Sequence, residues 1–200
     1  MKFATFAAGP DAGDGAAFQR WFRESYAPAF ARSATGLVAA TLRTVREPPV
    51  GEAPPIRTDG DPALLPYAVL LESWFVTTED FCRTARLAEP LLREEAARFV
   101  SYRVTPLLEL DPRFAEAGPG GARPELTYIT PVTWLPGVTR AEARRQWDEH
   151  VPTALRVHAG LSKYERNWVE EVVSWSEGVE PFGAYADFSF PEEADFARFF

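Results

Sequence analysis

The sequence predicts an α+β fold made of two ferredoxin-like repeats in one chain, the second cut short. Three observations predict it: a repeated motif, the order of short strands and amphipathic helices, and enough apolar residues for a core. The motif comes first, since an internal period governs how every other segment is read. Trp21 and Pro28, then Gly36 and Leu37, recur as Trp147 and Pro152, then Gly160 and Leu161. Proline, glycine and leucine keep an offset of 124 residues. A second block runs from Pro66 through Phe75 to Asp80 and Phe81, and it matches Pro181 through Phe190 to Asp195 and Phe196 at an offset of 115. The change of offset places extra residues in the loop Glu47–Pro62 of copy one, which is rich in Pro, Gly and Asp.

Each copy reads strand, helix, strand, strand, helix. Lys2–Ala7 and Leu126–Val132 open the copies as short segments with partial alternation. In copy one Phe18, Phe22, Tyr26 and Phe30 form an apolar stripe that suits a helix lying on a sheet. In copy two Thr139 and Glu142 make a capping box, and Ala143, Trp147, Val151 and Ala154 continue the buried face. Pro28 and Pro152 fall late in these helices, where a missing donor should kink or end them. Strands follow over Leu37–Val45 and Leu161–Val169, then over Tyr67–Val76 and Phe182–Phe190. Thr78–Ala97 is expected to be helical with an interruption near Pro90, and Phe99–Leu110 to be a fourth strand that copy two lacks.

This order is the ferredoxin-like arrangement, an antiparallel sheet with helices on one face. Its second apolar face needs cover, and two copies in one chain can supply it as an intrachain barrel of the dimeric type. The expected organisation is repeat 1 over 1–110, a Pro/Gly/Ala-rich linker over 111–124, and repeat 2 over 125–200. The truncated sheet of copy two is an edge that a homodimer could cover, so a monomer with a pseudo-dimeric barrel and a homodimer both stand.

Composition excludes several classes. With 46% hydrophobic residues in 200, the chain can bury a core. A formal charge of −8 and no basic stripe argue against nucleic acid. No apolar run approaches the roughly 20 residues of a membrane span. The short apolar start before Gly9 and Pro10 does not read as a secretory signal, so a cytoplasmic protein is expected. One cysteine, Cys82, and two histidines leave no metal-ligand cluster, and no metal or cofactor is expected. Phosphate-loop, nucleophile-elbow and zincin motifs are absent from the sequence.

The segment Trp147, His150, Pro152, followed by Gly160, Leu161 and Tyr164, resembles the EthD-like family of dimeric α+β barrel proteins. Its signature is a helix ending His-x-Pro and a following Gly-Leu-x-x-Tyr strand. Copy one repeats the pattern with Tyr26 in place of the histidine and Ala40 in place of the tyrosine. The resemblance implies a small-molecule pocket between sheet and helices. It also implies relatives that include aromatic polyketide cyclases, cofactor-free monooxygenases and lactone isomerases, with haem proteins in the wider superfamily.

The candidate catalytic residues are His150, Tyr164 and Arg166. His150 is expected to turn toward the sheet, as a general base near neutral pH or as a structural cap for carbonyls freed by Pro152. Alternation places Ser162, Tyr164, Arg166 and Trp168 on one face of their strand, either under the helix or in the inter-sheet core. Under the helix they would supply a phenol for an enolate oxygen, a cation and a stacking surface. Trp147, Trp168, Tyr128, Trp134, Asp187 and Tyr185 complete a substrate-binding set, and Asp187 and Glu72 are expected to pair with arginines. His158 reads as an exposed residue at a helix end. The expected ligand is a hydrophobic aromatic or polyketide-like molecule. The expected chemistry is proton transfer for cyclisation, dehydration or isomerisation, with a cofactor-free monooxygenase, a binding protein and haem ligation through His150 or His158 as rivals.

Overall fold

The computed structural model describes residues 1–10, 15–45, 67–110, 126–158, 160–191 and 193–197. The loop after Glu47 and the linker over 111–124 lie outside the described residues. The chain divides into two compact units. Among the described residues unit 1 holds 1–10, 15–45, 67–105 and 169–181, and unit 2 holds 106–110, 126–158, 160–168, 182–191 and 193–197.

Unit 1 runs β1 (Lys2–Ala8), α1 (Gly15–Trp21), a π turn (Phe22–Tyr26), α2 (Ala27–Ser33), β2 (Leu37–Thr44), β3 (Val69–Phe75), α3 (Thr78–Glu95) and the first part of β4 (Arg98–Leu110). Its strands lie in the order β2-β3-β1-β4, with β1 antiparallel to both neighbours. This is the ferredoxin-like order that the sequence predicts. Every residue of β1 is buried, so both faces of this strand are covered.

The aromatic stripe explains the helix. Residues spaced by four drift about 40° per step around a 3.6-residue turn. The wider π turn inside the stripe counters that drift, and Phe18, Phe22, Tyr26 and Phe30 all stay buried, with Phe22 and Tyr26 rings 4.5 Å apart. They join Phe3, which stacks on Phe81 at 3.9 Å, and Phe75, which meets Phe81 edge-on at 5.5 Å. Pro28 sits in the first turn of α2, where its missing donor costs little.

Two corrections concern helices. α3, capped by Thr77 Oγ1 accepting from the Asp80 amide at 3.1 Å, runs unbroken through Pro90, where an interruption was expected. Pro90 and Arg86, whose carbonyl it leaves without a donor, are both exposed, so water can take that carbonyl. The same reason carries the helix of unit 2 past Pro152, since Pro152 and Asp148 face solvent.

Unit 2 runs from the end of β4 through β5 (Leu126–Val132), α4 (Arg140–Val157), the first half of β6 (Lys163–Trp175), β7 (Ala184–Phe190) and α5 (Glu193–Ala197). Its order is β6-β7-β5. The expected cap forms: Thr139 Oγ1 accepts from the Glu142 amide at 3.2 Å, and Ala143, Val151 and Ala154 are buried with Trp147 half-buried. β6 is longer than the expected Leu161–Val169. Its later residues belong to unit 1, where the Ser176 amide donates to the Phe99 carbonyl at 3.0 Å and Arg103 pairs with Glu171 at 3.2 Å.

Each unit has a glycine with positive φ ahead of its second strand. At Gly36 (φ +71°) a Cβ would lie 2.6 Å from Asp80 Oδ2, and at Gly160 (φ +90°) 3.1 Å from Asp195 Cβ. Both the backbone angle and the carboxylate side chain above it require glycine.

Candidate functional site

Cross-strand register in unit 2 sorts the predicted residues onto two faces. β6 and β7 pair Tyr164 with Phe188, Arg166 with Ala186 and Trp168 with Ala184, while Glu165 meets Asp187 and Asn167 meets Tyr185. Partners directly across a sheet share a face. Tyr164, Arg166 and Trp168 therefore stand on the α4 side, where Trp147 descends to meet them.

Trp147 Nε1 donates to Tyr164 Oη at 2.8 Å. The phenol ring is fully buried and stacked on Phe188 at 4.6 Å with planes 13° apart. Burial raises the Tyr164 pKa, opposed in part by the Trp147 hydrogen bond and the Arg166 charge. The hydroxyl is thus protonated at neutral pH, with its oxygen occupied by the indole donor and its proton left to give. Tyr128, opposite Phe188 on β5, lies on the far side of that ring at 6.4 Å.

Trp168 is fully buried and is the centre of three indoles: Trp147 lies 5.2 Å and Trp134 5.6 Å from it, centroid to centroid. Trp134 is seated by Gly183, at which a Cβ would come within 2.4 Å of its ring. The guanidinium of Arg144 lies 5.7 Å over Trp168, and that of Arg166 lies 5.6 Å over Trp147. Trp168 Nε1 is buried and has no hydrogen-bond partner among the described residues.

Arg166 is 4% exposed and held by two carboxylates. Its Nε donates to Glu109 Oε1 at 2.8 Å and its Nη1 to Asp148 Oδ1 at 2.7 Å; Nη2 also pairs with Glu109. Burial works against its charge, and the bonds to Glu109 and Asp148 more than offset this, so its pKa is raised. The cation is balanced. Its place is over the Trp147 ring, rather than to offer net charge to a ligand.

Three expectations are corrected. His150 is exposed on α4, not turned toward the sheet. At 100° per residue the buried arc from Ala143 to Val151 spans about 80°, and His150 falls about 20° outside it. Its charge also helps lower the pKa of His158, after burial of that ring. His158 is half-buried, edge-on to Phe188 at 6.4 Å, rather than an exposed end residue. Asp187 and Tyr185 are fully buried on the face away from α4, which removes them from the Tyr164 cluster. Asp187 pairs with Lys163 at 3.0 Å, and Glu72 with Lys2 at 2.6 Å and Arg43 at 3.2 Å. Glu72 thus has the arginine partner that was expected, and each of the two buried carboxylates also takes one of the two lysines of the chain.

Sequence reasoning missed Glu109, Asp148, Phe188, Gly183 and Arg144. Asp148 adjoins Trp147, and Phe188 follows from pairing the two strands, so both were within reach. Glu109 is 57 residues from Arg166 and carries no local signal.

No family profile and no curated protein sequence matches the chain. Solved structures do. The fold is similar to that of an anthrone oxidase-like protein. That likeness has a TM-score of 0.58 at 12% identity and covers 98% of this chain and 74% of the other. A proposed chlorite dismutase (TM-score 0.47, 12% identity, 98% and 82% covered) and a proposed monooxygenase from Lactobacillus acidophilus NCFM (0.44, 8%, 98% and 78%) align less closely. Identity this low speaks to the fold alone. No helix among the described residues is long and apolar enough to cross a membrane.

Proposed function

We propose that the chain is an enzyme that oxidises or oxygenates an electron-rich, hydrophobic aromatic molecule with dioxygen, without a bound cofactor, at the α4 face of unit 2. The observation that carries this is the Trp147–Tyr164 hydrogen bond within a face of three indoles. A neutral phenol there can hold the oxygen of a phenolate or enolate, the form of substrate that gives electrons to dioxygen directly. Conversion of a ring CH₂ to a carbonyl balances in this way: the substrate loses four electrons, one oxygen atom enters the carbonyl and the other leaves as water. The fold likeness to an anthrone oxidase-like protein supports this reading over cyclisation. The exposure of His150 takes away the base that the cyclisation reading assigned.

The reading places one site in each chain. The units are interpreted as two copies of one βαββα element within the EthD-like, dimeric-barrel lineage. The matching strand orders β2-β3-β1 and β6-β7-β5 and the Gly36/Asp80 and Gly160/Asp195 pairs support this. At the offset of 124, Arg23, Ala40, Leu42 and Thr44 stand where unit 2 has Trp147, Tyr164, Arg166 and Trp168. Unit 1 has filled the equivalent space with phenylalanine.

The test is oxygen uptake with a panel of anthrones and hydroxynaphthalenes, with product mass read in parallel. The expected result is uptake that leaves a product oxidised by loss of two hydrogens and gain of one oxygen, with Tyr164→Phe slower by about 10²–10³-fold. A ligand that binds and emerges with unchanged mass would make the protein a carrier and end the enzymatic reading.

A further inference from the structure

The indole N–H of Trp168 is a buried donor with no partner among the described residues. Resting on the reading above, we infer that Trp168 Nε1 is the specificity-determining donor of this site, and that the ligand is a flat aromatic carrying an acceptor oxygen at its edge: a carbonyl, phenolate, enolate or carboxylate. Four observations carry it.

Trp168 is fully buried, yet its indole N–H has no partner among the described residues. A buried donor left unmade is costly, and native structures retain one where something else completes it. Tyr164 accepts from Trp147, so of its hydrogen-bonding capacity the proton is what remains for a ligand. Arg144 is exposed, and its guanidinium lies 5.7 Å over the Trp168 ring. The two carboxylates of the neighbourhood, Glu109 and Asp148, are both bound to Arg166, which balances their charge.

A ligand bearing only an ammonium or an N–H edge would leave the Trp168 N–H unmade and lie near the Arg144 cation. One bearing an oxygen acceptor would complete Trp168 and be drawn by Arg144. Trp134 and Trp147 lie within 5.6 Å of Trp168, so the surroundings of its N–H are aromatic and favour an aromatic ligand.

The experiment uses the full chain and two isosteric probes, 2-naphthoate and 2-naphthylmethylammonium, with quenching of tryptophan fluorescence as the titration signal. The expected result is binding of one naphthoate per chain, at least tenfold tighter than the ammonium. Trp168→Phe, which keeps a ring and removes the donor, should weaken naphthoate about tenfold more than it weakens the ammonium. A second measurement needs no variant: of the six tryptophan indole N–H resonances in the native chain, that of Trp168 should move downfield with naphthoate. Equal affinity for the two probes, or an unmoved Trp168 resonance in the naphthoate complex, would overturn the donor assignment while leaving the aromatic site standing. Failure of both probes to bind would overturn the aromatic site as well.

Discussion

Replacing Trp147 with phenylalanine tests the construction of the site. The change removes the 2.8 Å bond to Tyr164 and part of the packing against Trp168, and leaves Arg166 over a smaller ring. A net hydrogen bond contributes about 0.5–1.5 kcal/mol, and the lost aromatic pairing about 0.5–1.5 kcal/mol more. A total near 2 kcal/mol is therefore expected for Trp147→Phe in urea unfolding. Tyr164→Phe should cost about 1 kcal/mol, because the half-buried Trp147 N–H can turn to water. The double variant separates the bond from the packing. If Trp147 and Tyr164 are coupled through their hydrogen bond, the cycle should close with an interaction of about 0.5–1.5 kcal/mol. The Tyr164 phenol should also titrate higher in Trp147→Phe, since the indole donor is one of the groups that lower its pKa. Additivity within about 0.3 kcal/mol, with an unmoved phenol, would refute the pairing.

Three further outcomes follow from the geometry. Gly183→Ala should destabilise by about 1–3 kcal/mol and change the near-UV circular dichroism, because the added Cβ would meet the Trp134 ring; a change under about 0.5 kcal/mol would put Trp134 elsewhere. His150→Ala should leave unfolding within about 0.5 kcal/mol of the parent and leave turnover intact, as its exposure on α4 predicts. It should also raise the His158 pKa toward the ordinary value, read by NMR, since the His150 charge is one of the two causes that lower it. Stability should fall as pH climbs above about 10. Tyr26 and Tyr164 both hold their protons more tightly when folded, chiefly by burial, so the unfolded chain loses them first and is favoured from that pH upward. Urea midpoints at pH 9 and above should drop less steeply in Tyr164→Phe.

Local signals in the sequence were read well, and long-range ones were not. The Thr139 cap depends on residues three apart, and the phenylalanine stripe on a period of four, so both can be seen without a fold. Alternation placed Tyr164, Arg166 and Trp168 together, because β6 is regular through them. The register between β6 and β7 depends on which residues face each other across the sheet, and no local signal shows that Asp187 and Tyr185 lie on the face away from Tyr164. His150 lay one residue from a buried position, where a shift of about 100° separates core from solvent. The prolines misled for a related reason: Pro90 and Pro152 interrupt a helix only if the carbonyls they strand are buried, and exposure is a tertiary property. Glu109, which neutralises Arg166, comes from the end of a different strand and changes what that arginine can do.

The most direct test of a functional site at the α4 face of unit 2 is a crystal structure of the protein with a bound hydroxyanthraquinone. The account predicts the rings against Trp168, with an oxygen within hydrogen-bond distance of Trp168 Nε1 and Tyr164 Oη. A ligand seated instead beneath α1 and α2 in unit 1, or on the Asp187 face of unit 2, would contradict it.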